Sequence, residues 1–488
     1  MDKLRLIAPI VNGLVLFCFG LFLFFWPGFT LLSQLSDPAL REPGIPQVAW
    51  QLFASLTPSY EEWAKKRMES GRAKELAVND ISGTEWPLFG SVFYLLAIEE
   101  LQEAWEKDNS LFHTSPKLYA KGAIEQSVAL ILSPDHATWV KKHWGEDYLH
   151  KENCFYRMLL IFGATSHIKL TASKKHEALL RDQVETLSRD IDRSPHGWIV
   201  DYPYECYPTD VLAAIAAIAR ADKVLGTDHS AFVERAKRGF EGKTLDQEYG
   251  LPPYSGNDKT GKKETMARGC GISYAVIFGN LIWPEKAQKW MDLYVKHFWQ
   301  HKWLFFGFRE YPKDKNEPEW GGDVDAGPIV AGHGVAACAF GVAAARTTGR
   351  YDIAWPLTAE MLVSCWPTPW GTLIAPRFLS NAVDAPLLGE ACVLFCLTNS
   401  AKKGTPVSGG GELAGYVYIL LAAYLGVGTL FMLVPFVRWR KRGEEERPPS
   451  KFSLIVWSLF AGGALLSALS GNLLASLLLF LLAQLIVR

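Results

Sequence analysis

The 488-residue sequence predicts an all-α fold, namely an α/α toroid or (α/α)6 barrel with transmembrane helices at its N-terminal and C-terminal ends. In the middle of the chain, helix-length segments that are apolar on most faces alternate with charged, amphipathic ones, as inner and outer helices of a toroid would. Long uncharged runs stand at both ends. With 49% hydrophobic residues and a net charge of −1, the chain can build a large core and offers no basic surface to nucleic acid.

The first element is an N-terminal anchor. Residues 6–26, LIAPIVNGLVLFCFGLFLFFW, carry no charge and are long enough to cross a membrane. No small-residue cleavage site follows, so the sequence favours an anchor over a removed signal peptide. We assign residues 1–27 to this transmembrane anchor.

The last element, residues 413–488, is expected to hold about three spans. Residues 413–437 form one apolar run, and residues 452–487 form another that is too long for a single span. The turn-forming sequence Ser470-Gly471-Asn472 favours a hairpin of two short spans. One tilted helix is the alternative.

Basic residues predict the orientation. The N-terminus MDKLR and the segment RWRKRGEEERPPSK, which begins at Arg438, both flank apolar runs and are expected in the cytoplasm. The central domain, residues 28–412, is then exported. In a bacterium this describes a multi-pass protein of the inner membrane whose catalytic domain faces the periplasm.

The central domain shows repeated helix-start signals. Thr57-Pro58, Ser115-Pro116 and Ser133-Pro134 each place a capping residue before a proline. The apolar helices of the inner ring follow polar stretches, and in a toroid such stretches converge on a central cavity. These stretches are residues 79–90, 149–157, 201–211, 264–274 and 319–334.

The densest polar group is DYPYECYPTD, which contains Asp201, Glu205, Cys206 and Asp210. Like charges that are brought together beside an apolar wall raise each other's pKa. One carboxyl can then serve as an acid near neutral pH while another serves as a base. We take these four residues as candidate catalytic residues. The alternative for Asp210, or for Thr209 before it, is a helix cap.

Further polar residues are candidates for substrate binding. Alternating aspartates in GGDVDAGP suit the support of a neighbouring catalytic group or the binding of a substrate hydroxyl, with calcium binding as the alternative. Asp80 and Glu85 have a simpler interpretation as a helix cap and a first-turn acid. Arg268 is expected to pair with one of the acids, since an unpaired buried charge is costly. The candidates are Asp80, Glu85, Tyr202, Tyr204, Arg268, Asp323, Asp325 and His333. His333 is expected one or two turns into the helix that follows the aspartates.

The sequence indicates neither a metal nor a cofactor. It contains no nucleotide-binding fingerprint, and its eight cysteines include no CxxC pair. Cys392 and Cys396 lie one helical turn apart, as two core thiols would, and no disulfide pairing is assigned.

Three segments resemble the linalool dehydratase/isomerase family: KENCFYRMLLIFG, GWIVDYPYECYPTDVLAAIAAIARADKVLGTDHSAF and GGDVDAGPIVAGHG. The resemblance as a whole extends over most of residues 150–345. The resemblance implies a periplasmic α/α toroid that acts on monoterpene alcohols without a cofactor; its membrane-anchored relatives interconvert linalool and geraniol. Two active-site cysteines of the family fall on Asp201 and Asp210, and a histidine falls on Leu159, so the acid–base residues differ.

The function predicted from the sequence is a cofactor-independent isomerase or dehydratase of an isoprenoid allylic alcohol such as linalool or geraniol. Its partners are a small apolar alcohol and the membrane, without nucleic acid, and a homo-oligomer is left open. One alternative is a carbohydrate-active toroid, a glycoside hydrolase or lyase with paired carboxylates. The other is a non-enzymatic membrane assembly protein whose carboxylates are structural.

Overall fold

A computed structural model of the chain describes residues 2–76, 81–368 and 373–441. Residues Leu31–Leu420 form one compact unit, and the terminal segments belong to a second. The predicted hairpin of residues 452–487 and the candidate residue Asp80 lie outside the described residues.

The described chain is mostly helical, as predicted. Short strands, which the sequence did not indicate, form two hairpins and a three-stranded sheet, all antiparallel. The helices are α1 Asp2–Gly20, α2 Trp26–Leu35, α3 Gln47–Ser70, α4 Ile81–Lys107, α5 Pro116–Tyr119, α6 Lys121–Leu132, α7 Thr138–Trp144, α8 Cys154–Thr171, α9 Glu177–Arg193, α10 Pro208–Leu225, α11 Ser230–Ala236, α12 Gly269–Ile282, α13 Pro284–Phe298, α14 Val335–Thr347, α15 Tyr351–Val363, α16 Phe378–Ala382, α17 Leu388–Thr398 and α18 Gly415–Lys441. The strands are β1 Trp299–Lys302, β2 Phe305–Phe308, β3 Gly321–Asp323, β4 Gly327–Val330, β5 His333–Gly334, β6 Trp366–Pro367 and β7 Leu373–Ile374.

Six helices of the larger unit form a closed inner ring. In the order α4, α8, α10, α12, α14 and α17, each packs against the next, and α17 returns to α4. Around this ring, α6 packs on α4 and α8, α9 on α8 and α10, α11 on α10, α13 on α12, α15 on α14, and α3 on α17. This is the toroidal order that the alternation of apolar and charged helices predicts.

The composition of the helices explains their places. In α10, every residue from Val211 to Ile218 is buried, because inner and outer neighbours cover the helix on all sides. In α9, by contrast, Leu180, Val184, Leu187 and Ile191 form one buried stripe, and the other face is charged. An amphipathic helix of this kind belongs outside the ring, where its polar face meets water.

The helix start predicted at Thr57-Pro58 is wrong. Helix α3 begins at Gln47, and Pro58 lies inside it. A proline in a helix interior leaves the carbonyl four residues earlier without its usual donor. Here that carbonyl belongs to Ala54, and the Tyr119 hydroxyl donates to it at 2.8 Å. The start predicted at Ser115-Pro116 is correct, since α5 begins at Pro116.

Two helical stretches of the described residues are long and apolar enough to cross a membrane, Val11–Leu35 and Gly415–Pro435. The second has little buried surface, unlike the core helix of a soluble protein. Both overlap the spans predicted from the sequence. Helix α18 continues to Lys441, so the basic segment predicted as a loop begins within a helix.

Candidate active site

A cavity of about 1320 Å³ opens at the amino-terminal ends of the inner helices. All six inner helices contribute lining residues, among them the starts of the five that follow the predicted polar stretches. The sixth, α17, begins at Leu388 and was not identified from the sequence as an inner helix. Most of the wall is apolar, and it includes a cluster of packed rings from Phe89, Phe93, Tyr274 and Phe340.

Three of the carboxyl groups that line the cavity have raised pKa values, and the charge of Asp325 contributes to the shifts of the other two. Glu85 lies in α4, Asp210 lies in the first turn of α10, and Asp325 follows β3. Burial raises the pKa of Glu85 well above its usual range, and the charges of Asp325 and Asp210 raise it further. Burial and the charge of Asp325 raise the pKa of Asp210 to about 8. Of the predicted acidic group, Asp210 lines the cavity with a raised pKa, and the charge that acts on it comes from Asp325 and not from its neighbours in sequence.

Asp210 does not cap its helix, contrary to the alternative interpretation of the sequence. Helix α10 begins at Pro208, its N-cap residue is Tyr207, and no side chain makes a capping hydrogen bond. Asp210 is therefore the third helical residue, and it lines the cavity. Glu85 is likewise not a first-turn acid, because α4 begins four residues earlier, at Ile81.

Asp201 and Cys206 are adjacent to the cavity and do not line it. Asp201 is buried, and its Oδ2 accepts a hydrogen bond from the Tyr207 backbone N–H at 2.8 Å. Burial and the charge of Asp210 raise the pKa of Asp201. Cys206 packs with Trp198 and Val200 in a small apolar cluster. We therefore replace their predicted catalytic roles: Asp201 positions the start of α10, and Cys206 is a core residue.

The segment between them is a tight turn that separates the two predicted tyrosines. The Glu205 N–H donates to the Tyr202 carbonyl at 3.0 Å, and Tyr204 has a φ of 74°. With Pro203 before it, this is the pattern of a type II turn. Tyr204 at the tip is 96% exposed and lies outside the cavity lining, unlike its predicted place at the substrate. Tyr202, Pro203 and Glu205 line the cavity.

Asp325 differs from the other two carboxyls because it has polar support. The Tyr254 hydroxyl donates a hydrogen bond to it, and its side chain stays accessible from the cavity. Burial raises the pKa of Asp325, while the bond from Tyr254 and the charge of Arg268 oppose that shift. Of the three carboxyls, Asp325 is therefore the best suited to be ionised.

Arg268 forms ion pairs with two acidic residues behind this site. It forms ion pairs with Glu310 at 2.8 Å and with Asp323 at 2.7 Å, and it stacks on the ring of Tyr254 at 4.4 Å. Asp323 also accepts hydrogen bonds from the backbone N–H groups of Asp325 and Ala326, which shapes the turn. Asp323 is thus a positioning residue and lies outside the cavity lining.

His333 lines the cavity from β5, two residues before α14 begins, and not from within the helix as predicted. Burial lowers its pKa, which favours the neutral ring. The sequence reasoning missed Glu360, whose pKa burial raises to about 7, and also Tyr254 and Glu310. A signal for Glu360 was present, because it is the sole acid among the last ten residues of the apolar helix α15.

In the described parts of the chain, no group of three or more histidine, cysteine or acidic side chains is arranged to hold a metal ion. The aspartates considered for calcium are instead bound to Arg268 and Tyr254. All eight cysteines are free, including Cys392 and Cys396.

No family model matches the chain, and no curated protein matches it. Among solved structures, the chain is similar to an inactive variant of the α-1,6-mannanase GH76A of Salegentibacter sp. HEL1_6, in complex with α-1,6-mannotriose. The two are 13% identical, the match covers 69% of this chain and 99% of that chain, and the TM-score is 0.37. A likeness at this level carries no inference about activity.

Proposed function

We propose that this chain isomerises or dehydrates an apolar allylic alcohol of the isoprenoid class, such as linalool or geraniol, without a cofactor. The observation that carries the proposal is the set of carboxyls on a mostly apolar cavity wall, with Glu85, Asp210 and Asp325 linked by their charges. A site that holds neutral carboxylic acids beside an ionised one can donate and accept protons near neutral pH. The resemblance of residues 150–345 to linalool dehydratase/isomerase supplies the substrate class.

Asp210 is the proposed acid, with Glu85 beside it. Its neutral carboxyl donates a proton to the substrate hydroxyl. The C–O bond then breaks, water departs, and an allylic cation remains. The rings of Phe89, Phe93 and Phe340 line the same cavity, and the negative face of an aromatic ring stabilises a cation.

Asp325 is the proposed base. In isomerisation, water adds to the other allylic carbon and gives one proton to Asp325. In dehydration, Asp325 instead removes a proton from carbon, and a diene forms. Either way one proton moves from Asp210 to Asp325, and exchange with solvent at the open side of the cavity resets the pair.

A second candidate is glycoside hydrolysis. The rings of Tyr207 and Tyr254 favour it: their centroids lie 5.3 Å apart, beside the carboxyls. Glycoside hydrolases use paired carboxyls for catalysis, and aromatic rings can stack on sugars. The phenylalanine-rich remainder of the wall opposes it, because it offers few partners to sugar hydroxyls.

The test is a substrate panel with the purified full-length chain. Linalool, geraniol and longer prenyl alcohols are incubated and analysed by gas chromatography, while neutral oligosaccharides are assayed for new reducing ends. We expect conversion of alcohols alone. Release of reducing ends without alcohol conversion would replace the proposal with the second candidate.

We further propose that the chain is a multi-pass protein of a bacterial inner membrane whose toroid faces the periplasm. The two membrane-length helices support the membrane location, and the basic residues that flank them in the sequence support the orientation.

A further inference from the structure

Three large apolar side chains stand exposed on neighbouring loops of the toroid. Trp303 and Leu304 form the tip of the β1–β2 hairpin, and Trp320 precedes β3. They are 70%, 44% and 60% exposed, and the two indole rings lie 6.3 Å apart. We call these three residues the aromatic rim. Exposed apolar residues in a group mark an interaction surface, and tryptophan is enriched where proteins meet the lipid–water interface.

Leu304 of the rim packs against the first residues of the candidate span Gly415–Pro435. The Tyr416 N–H donates to the Leu304 carbonyl at 3.0 Å, and the ring of Phe305 lies 4.9 Å from that of Tyr416. The Leu304 side chain packs directly against Gly415, because a Cβ on Gly415 would stand 2.8 Å from it. The rim is therefore fixed at the residue where the span begins.

The cavity opens beside the same surface. Phe305 and Tyr416, which join the rim to the span, both line it. So do Val330 and Val335, which are 37% and 50% exposed. Apolar side chains thus continue from the start of the span to the cavity lining.

We propose that the aromatic rim lies in the lipid–water interface and that the apolar alcohol enters the cavity from the bilayer. We take lipid as the partner of the rim because Leu304 contacts the first residues of the span. A span that begins at Gly415 therefore brings Leu304 to the membrane surface. Lys302 supports this position. Its Nζ lies 5.6 Å from the centre of the Trp303 ring and forms an ion pair with Glu319, so its charge stays on the water side of the interface. The route of entry rests on the proposed function, whereas the contact with lipid does not.

The test of the lipid contact uses the full-length chain in lipid nanodiscs that contain a lipid with a photoactivatable diazirine on its acyl chain. After irradiation, labelled peptides are identified by mass spectrometry. We expect labels on Trp303, Leu304 and Trp320. The control is Leu118, which is 64% exposed and follows the carboxyl end of α4, at the opposite end of the ring. An unlabelled rim, or labels as strong on Leu118, would overturn the proposal.

The test of the entry route compares substrate delivered from bilayers with substrate delivered in detergent micelles. Trp303→Ser combined with Trp320→Ser is expected to raise the apparent KM for bilayer-dissolved alcohol by about tenfold, which corresponds to about 1.4 kcal/mol. In micelles kcat should be unchanged, and Leu118→Ser should change neither value. An unchanged KM from bilayers would refute the entry route. Because photolabelling requires no turnover, a failure of the proposed function would leave the lipid contact separately tested.

Discussion

The substitution Asp210→Asn should make the protein more stable while it lowers activity. Burial and the charge of Asp325 raise the pKa of Asp210 from its usual value of 3.8 to about 8. At pH 7 the folded protein must therefore keep this carboxyl protonated, whereas the unfolded chain ionises it. Each pKa unit corresponds to about 1.4 kcal/mol, and roughly three units separate pH 7 from the usual value. The upper bound of the penalty is about 4 kcal/mol.

The stability that Asp210→Asn adds should depend on pH. A carboxyl whose pKa is raised by folding destabilises the protein only above its unfolded pKa, and the penalty grows until pH reaches the folded pKa. The amide that Asp210→Asn introduces does not ionise, so the variant should match the native protein near pH 4 and exceed it increasingly up to pH 8. Because Asp210 is only partly buried by surface area, water in the cavity screens it, and we expect about 2 to 4 kcal/mol at pH 7.

The assay is denaturant unfolding of the full-length protein at pH 4, 5, 7 and 8, together with turnover. The matched control is Asp228→Asn, since Asp228 is an exposed residue whose hydrogen bonds from Ser230 lower its pKa. That variant should show no gain as pH rises. Turnover of Asp210→Asn should fall by roughly 10² to 10⁴-fold, the usual loss for a general acid. Equal stability of the Asp210 variant and the native protein at both pH 4 and pH 8 would refute the buried, protonated carboxyl.

Four further predictions follow from the same site and from the membrane arrangement. Turnover should fall about tenfold per unit as pH rises beyond 8, because Asp210 must be protonated; a pH–rate profile that stays flat to pH 10 would contradict this. Cys206→Ala should retain near-native kcat in the same assay, and an inactive but folded variant would return the chemistry to the thiol. Arg268→Met should lower the free energy of unfolding by about 3–5 kcal/mol in denaturant titrations, because it leaves a buried acid unpaired; unchanged unfolding would show that the ion pair contributes nothing. An alkaline phosphatase fusion after residue 400 should be active and one at residue 445 inactive, and the reverse would place the toroid in the cytoplasm.

The ring could be predicted because a helix that is buried on all faces has apolar residues at nearly every position of its sequence. The run Val211–Ile218 is apolar at every position, and only an inner helix buries every face. The convergence of helix starts on one cavity followed from the toroid itself. The inner helix α17 was missed because no polar stretch of the predicted kind was recognised before Leu388.

Within the candidate site, the sequence identified the acidic segment but not the direction of each side chain. Tyr204 and Glu205 are neighbours, yet a positive φ at Tyr204 turns it to solvent while Glu205 lines the cavity. Asp201 and Asp210 are separated by a turn and a helix start, so their spacing alone could not show that only Asp210 reaches the cavity. Tyr254 was missed because its partner Asp325 is 71 residues away in sequence.

The central claim is that the cavity breaks the C–O bond of an allylic alcohol through a carboxylic acid. The most direct test is to incubate the purified chain with geraniol or linalool in water enriched in ¹⁸O and to analyse the products by gas chromatography and mass spectrometry. Because Asp325 is accessible to solvent, the departing water exchanges before water returns. The account predicts an isomeric alcohol that carries ¹⁸O, or a diene without oxygen. An alcohol that is left unconverted, or an isomer that keeps all of its original oxygen, would contradict it.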